Sequence, residues 1–227
     1  MKFRILVGSL LVWGSFPGWA MPGIGALALS GGRSFCAFSP FLNRSEKIEE
    51  SASFQVKKGD RKADAEQLAR ALDYFSSEKF HECLVLLQPL NRRYKLNPRY
   101  RAYLAVCLYY EWEYAEAIRL FDEVIPLLQG LAPHELSLYY WMDAESYFAL
   151  QQYDRALPLY EKMLPLCRDN EKPDAYYRMG FCHLFAEERK KAKECFELSL
   201  EGYLKYRNTP KEKARIAQIR HMIGGLK

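Results

Sequence analysis

The stretch WEYAEAIRLFDEVIPLL, residues 112–128, is matched downstream by QQYDRALPLYEKMLPL, residues 151–166. In each, a Tyr stands three residues before an Ala and an aromatic ring follows that Ala by four: Tyr114, Ala117 and Phe121, then Tyr153, Ala156 and Tyr160. Steps of three and four place these side chains on one face of a helix. The two stretches therefore read as two helices that bury the same face, in a chain that repeats one structural unit.

Working outward, the small residue in the middle of each such helix falls at Cys83, Ala117, Ala156 and Ala192, separated by 34, 39 and 36 residues. Each is preceded by another segment with apolar steps of three and four and its own small residue: Ala71, Ala105, Ala144 and Gly180. Small residues on both members of a helix pair let the backbones approach, while larger side chains fill the space around the contact. These eight residues are the expected repeat core. From Asp64 onward almost nothing alternates with period two, so the expectation is helix throughout and no sheet.

The units themselves carry a recognisable pattern. The last has Tyr176-x2-Met179-Gly180-x2-His183 and then Ala192-x3-Phe196; the one before has Tyr140-x2-Asp143-Ala144-x2-Tyr147 and then Ala156-x3-Tyr160. Upstream stand Leu104-Ala105-x2-Leu108 with Ala117-x3-Phe121, and Ala71-x2-Tyr74 with Cys83-x3-Leu87, where Arg101 and Gln67 replace the leading aromatic. This resembles the tetratricopeptide repeat, W-x2-L-G-x2-Y followed by A-x3-F. The resemblance spans Asp64 to about Tyr206 and implies an all-α, right-handed α-solenoid of about four helix-turn-helix units. Their expected bounds are 64–97, 98–136, 137–172 and 173–206.

The chain departs from that pattern in three ways. The turns inside the pairs lack the usual Gly and read Ser76-Ser77-Glu78, Glu111-Trp112-Glu113, Leu150-Gln151-Gln152 and Ala186-Glu187-Glu188. Pro158, near the start of a second helix, and Pro89, Pro126 and Pro165, near the ends of others, predict kinked or shortened helices. The two units longer than the usual period place their surplus in Gln129–Pro133 and Arg168–Pro173, read as surface loops. Residues 207–227 read as a capping helix and tail, with Ile216, Ile219 and Ile223 on one face and Gly224-Gly225 ending it.

The N-terminus, MKFRILVGSLLVWGSFPGWA, has Lys2 and Arg4, an apolar run from Ile5 to Trp13, then Gly14, Pro17 and small residues up to Ala20. That is the layout of a secretory signal peptide over 1–20, with cleavage after Ala20 or as late as Ala28. The apolar run is far shorter than the roughly 20 residues that cross a bilayer. Residues 21–63 are charged and aperiodic and read as a tether. The alternative to export is a cytoplasmic protein.

With 49% apolar residues in 227, the chain can bury a substantial core, and a net charge of +5 is too weak to argue for nucleic acid. The six cysteines, Cys36, Cys83, Cys107, Cys167, Cys182 and Cys195, form no CxxC and no Cys/His metal spacing. They read as small buried hydrophobes. His81, His134, His183 and His221 fall in different units, with no HExxH and no Gly-rich phosphate loop. Neither a cofactor, a metal nor a catalytic residue is expected. Asp143 stands where the repeat has Leu, so it is either buried with a partner or marks a shifted helix.

What remains is surface. In a tetratricopeptide array the first helices line a concave groove, which maps here onto an aromatic stripe whose expected partner-binding residues are Tyr109, Trp141, Glu145, Phe148, Tyr177 and Phe181. Repeat proteins that grip acidic C-terminal peptides present Lys, Arg and Asn there, types missing from the mapped positions. The paired repeats after residue 138 and the leader together are similar to bacterial envelope proteins of the Tol-Pal-associated and outer-membrane assembly type. That implies a non-catalytic scaffold, periplasmic or secreted, which binds a protein or peptide, with no nucleic acid and at most peripheral membrane contact. Self-association stays open. So do two other readings, a cytosolic secretion chaperone of the same repeat type and a hydrolase on a helical scaffold in which His183 would act.

Overall fold

The computed structural model describes residues 61–128 and 130–226, so the leader, most of the tether and Cys36 lie outside the described residues. Among the described residues nine α-helices follow one another: α1 (Arg61–Ser76), α2 (Phe80–Tyr94), α3 (Pro98–Tyr110), α4 (Tyr114–Val124), α5 (Pro133–Ala149), α6 (Tyr153–Met163), α7 (Lys172–Phe185), α8 (Arg189–Tyr206) and α9 (Lys213–Gly225). Contacts run between sequence neighbours, strongest within α1/α2, α3/α4, α5/α6 and α7/α8 and weaker between successive pairs, with α9 on α8. Four helix pairs stacked in order and closed by a last helix make a solenoid. No strand occurs among the described residues.

The eight small residues lie at the centre of these pairs. Ala71, Cys83, Ala105, Ala117, Ala144, Ala156 and Ala192 are wholly shielded from solvent and Gly180 is buried. Four residues beyond each second-helix small residue stands a large one, Leu87, Phe121, Tyr160 or Phe196, also wholly buried. Gly180 shows why the first helix needs a small side chain: a Cβ there would lie 2.7 Å from the Phe196 ring. Another close approach occurs at Gly202 in α8, where a Cβ would meet Pro173 at 2.5 Å.

The four turns share one geometry without glycine. Glu78, Trp112, Gln151 and Glu187 adopt φ of 59°, 66°, 60° and 61°. In each, the next residue donates its N–H five residues back at 2.9 Å: Lys79 to Tyr74, Glu113 to Leu108, Gln152 to Tyr147, Glu188 to His183. Left-handed backbone at a residue with a Cβ costs about 1 kcal/mol, offset by the carbonyls it satisfies at the helix end.

Prolines set several boundaries. Pro126 and Pro165 cannot continue a helix, and α4 and α6 stop ahead of them at Val124 and Met163, each 11 residues long; α8, without proline, runs for 18. Pro89 and Pro158 instead lie within α2 and α6. The expected loops at 129–133 and 168–173 give up their ends to helices, because Pro133 and Pro173 sit in the first turns of α5 and α7, where a missing N–H costs nothing. The third repeat thus begins in α5 at Pro133 rather than at 137. Likewise α1 starts at Arg61, inside the stretch read as tether. In α9, Ile216 and Ile219 are buried and Ile223 packs beside them.

Candidate functional site: the inner face of α5 and α7

The first helices carry the mapped stripe, but most of it is not open. Tyr109, Glu145, Tyr177 and Phe181 are buried, and only Trp141 and Phe148 keep a partly exposed side chain. The expectation that all six residues of the stripe face a partner is corrected for these four, for a packing reason. The Phe181 ring lies 4.9 Å from Tyr177 and 5.2 Å from Phe196 in edge-to-face contact, and Tyr109 packs on Tyr110 and Tyr114 at 5.3 and 5.9 Å. The capping helix adds Arg215, whose guanidinium stands 4.2 Å from the Tyr177 ring centre. Rings at these positions satisfy each other before any partner arrives.

Glu145 has a different role from the one its position suggested. Arg178, from the neighbouring α7, donates to its Oε2 at 2.7 Å, and the Tyr160 hydroxyl, from α6, donates to its Oε1 at 2.5 Å. Three helices of two repeats are tied by one carboxylate. Burial, followed by the negative charge of Glu145, holds the Tyr160 hydroxyl well above its ordinary pKa, so it stays a donor. Burial works against the charge on Arg178, but Glu145, with Tyr160 and Tyr109, together more than offset it and the guanidinium stays ionised. The Arg178 side chain retains 18% exposure, and its guanidinium lies 4.6 Å from the Phe148 ring centre. A guanidinium has five N–H donors. One of them is fixed on Glu145, so this face holds two partly exposed rings, Trp141 and Phe148, and a cation held in place beside Phe148.

The inner-face assignment of the sequence skipped Arg178, which is one residue past Tyr177. The signal was Glu145 itself: a carboxylate within an apolar stripe needs a counter-ion, and Arg178 is the cation in the middle of the next first helix, beyond Lys172 at its start.

The other singled-out residues are structural or isolated. Arg101, in place of the leading aromatic, is buried and pairs with Glu123 of α4; Gln67 donates to the Leu86 carbonyl at 3.0 Å. His183 is buried and its Nδ1 lies 2.6 Å from Glu188 Oε2 across its own turn. His81 meets Glu111 at 2.9 Å, and His134 Nδ1 stands 3.5 Å from Glu171. No three potential ligands come together as a metal site among the described residues. Burial pushes the Cys182 thiol up to about 12 and those of Cys167 and Cys195 to about 11, so these thiols are protonated and poor nucleophiles. Asp143 is 1% exposed and its Oδ1 has no hydrogen-bond partner. Burial, then the nearby Asp122 carboxylate, push its pKa up to about 8, against a smaller opposing effect of Lys162. No helix among the described residues is long and apolar enough to cross a membrane.

No family model matches the chain, and no curated protein matches it either. Solved structures do share its fold. MamA (AMB-1) superposes with a TM-score of 0.57 at 14% identity, over 73% of this chain and 85% of that one. The structure of MamA from residue 41 onward, from Desulfovibrio magneticus RS-1, gives 0.51 at 16% identity, over 75% and 95%. The apo form of RapI gives 0.55 at 12% identity, over 72% of this chain and 62% of RapI. At such identities the likeness speaks for architecture alone: the chain folds as a tetratricopeptide-type α-solenoid.

Proposed function

We propose that the protein is a non-catalytic interaction scaffold, exported to the bacterial cell envelope, that holds a segment of a partner protein against the inner face of α5 and α7. The observation that carries this reading is the trio of Trp141, Phe148 and Arg178. Two rings are partly exposed, and beside one of them, Phe148, stands a guanidinium whose position is fixed by a buried carboxylate, so a segment lying there gains apolar burial and a preset donor without reorganising the site. The donor suits a backbone carbonyl better than a free carboxylate, because Glu145 already neutralises the charge. Export is supported by the order of cations, apolar run and small residues over 1–20.

Burying one such ring at an interface contributes on the order of 2 kcal/mol, about 30-fold in affinity. The test is to purify the protein from its source, identify what accompanies it, and titrate that partner against wild type and Trp141→Ala. Trp141 also packs on the Tyr160 ring at 5.5 Å, so affinity is compared for the folded fraction: a loss of that size supports the reading, and an unchanged affinity refutes it. The mass of the native chain tests the compartment. A chain beginning at Met21 or Leu29 fits export, whereas an intact Met1 in soluble cytosol favours a secretion chaperone with the same inner face.

A further inference from the structure

We infer that the α3–α4 and α5–α6 turns form a second binding surface, on the edge of the solenoid, for a protein segment that presents an aromatic side chain beside Lys or Arg. It borders the inner face, since Tyr153 packs on Phe148 at 5.0 Å, but it is argued from other residues and does not depend on the inner-face reading. The argument begins with a ladder of rings between repeats. Phe80, the first residue of α2, stacks on Tyr110, the last residue of α3, with parallel rings 3.9 Å apart. Tyr153, the first residue of α6, stacks in the same register on Phe185, the last of α7, at 4.4 Å. Between them comes Tyr114, the first residue of α4, and the corresponding end of α5 is Ala149. Tyr114 therefore has no ring from the following repeat stacked on it, and is left half-buried with one edge-on contact to Tyr109.

The surroundings of this step are apolar and negatively charged. Trp112, on the turn before Tyr114, is 70% exposed, and Leu150, next to Ala149, is 40% exposed. Trp112 also occupies the left-handed turn position that the other three repeats give to Glu or Gln. Glu113 and Asp154, one on each turn, are exposed and make no ion pair among the described residues. The nearby cations are engaged elsewhere: Arg119 pairs with Glu116, and the Arg155 guanidinium lies over the Tyr147 ring. An aromatic side chain continuing the ladder over Tyr114 stacks as the neighbouring pairs do. A Lys or Arg beside it meets Glu113 or Asp154, and the electron-rich faces of Trp112 and Tyr114 also favour a cation. An acidic segment would be repelled.

The probe is the capped peptide Lys-Ala-Phe-Ala-Lys, with Glu-Ala-Phe-Ala-Glu and Lys-Ala-Ala-Ala-Lys as controls, titrated into isotopically labelled full-length protein and followed by NMR. The inference expects shifts of the Trp112 indole N–H and of the amides of residues 113, 114 and 149–154. Removing the ring should weaken binding about three- to tenfold, and reversing the charge at least about threefold. Ala149→Phe supplies the ring that Tyr110 and Phe185 supply elsewhere. It should leave the denaturation midpoint at or above that of wild type and abolish the ring-dependent shifts. Absence of shifts with the basic peptide, equal binding of the three peptides, or a folded Ala149→Phe that binds as wild type overturns the inference. If Ala149→Phe lowers the midpoint, the double change Glu113→Lys and Asp154→Lys decides: weaker binding supports the surface and unchanged binding refutes it.

Discussion

Replacing Asp143 by Leu should make the protein more stable at neutral pH. This carboxyl occupies an apolar repeat position, is almost wholly buried and has an oxygen without a partner, and its pKa in the folded chain is about 8, against about 3.9 when unfolded. Between these values the folded state holds a proton that the unfolded state has released, so stability falls as pH rises through that window and levels off above it. At pH 7 the displacement amounts to at most about 4 kcal/mol, at 1.36 kcal/mol for each pH unit. Leu removes that cost and adds apolar burial, offset in part by the strain of fitting a larger side chain. A net gain of about 2 to 4 kcal/mol is expected, a rise of roughly 1 M or more in the urea midpoint. Asp143→Asn isolates the ionisation, because Asp122, Lys162 and Tyr147 surround both side chains alike. Between pH 5 and pH 8 the wild type should lose roughly 2 to 4 kcal/mol relative to Asp143→Asn. Parallel pH profiles for the two chains, or an Asp143→Leu protein less stable than wild type at pH 7, would refute the reasoning.

Three further outcomes follow from the packing. Gly180→Ala forces a methyl against the enclosed Phe196 ring and should cost about 1 to 3 kcal/mol in chemical denaturation. Gln151→Gly relieves a left-handed residue at φ 60° and should change stability by about 0 to +0.5 kcal/mol, the strain removed slightly exceeding the added chain entropy; a loss of stability would show that the turn is not strained. Glu145→Ala leaves Arg178 and Tyr160 without their shared acceptor and should cost about 2 to 4 kcal/mol, somewhat less than a fully buried broken pair because Arg178 retains some solvent. A midpoint equal to wild type would show that the pair contributes nothing.

The helix pairs were legible in the sequence because close helix contacts leave a periodic trace. Small residues recur at Ala117, Ala156 and Ala192 and large ones four positions on, and all of them are wholly buried between the paired helices. The start of α5 at Pro133 was misplaced by four residues and Pro173, in the first turn of α7, was read into a loop, since proline equally marks a loop and a first helical turn, and only the chain direction after it decides. The inner face was mapped by position, but position does not say whether a ring finds its partner inside the chain. Tyr177 and Phe181 do, through Phe196 and Arg215, contributed by α8 and α9. Arg178 was passed over because a fixed stepping pattern ignores a residue one position along whose long side chain reaches back to the preceding repeat. The gap at Ala149 becomes visible only when helix ends are aligned, which needs boundaries finer than the repeat pattern supplies.

The central claim is that a partner lies on the inner face of α5 and α7, and site-specific photo-cross-linking tests it most directly. A benzophenone side chain placed at Phe148 should join covalently to one defined protein in the native host, while the same group at Val85, exposed on α2, should not. Cross-linking of that protein from both positions alike, or from Val85 alone, would contradict the account.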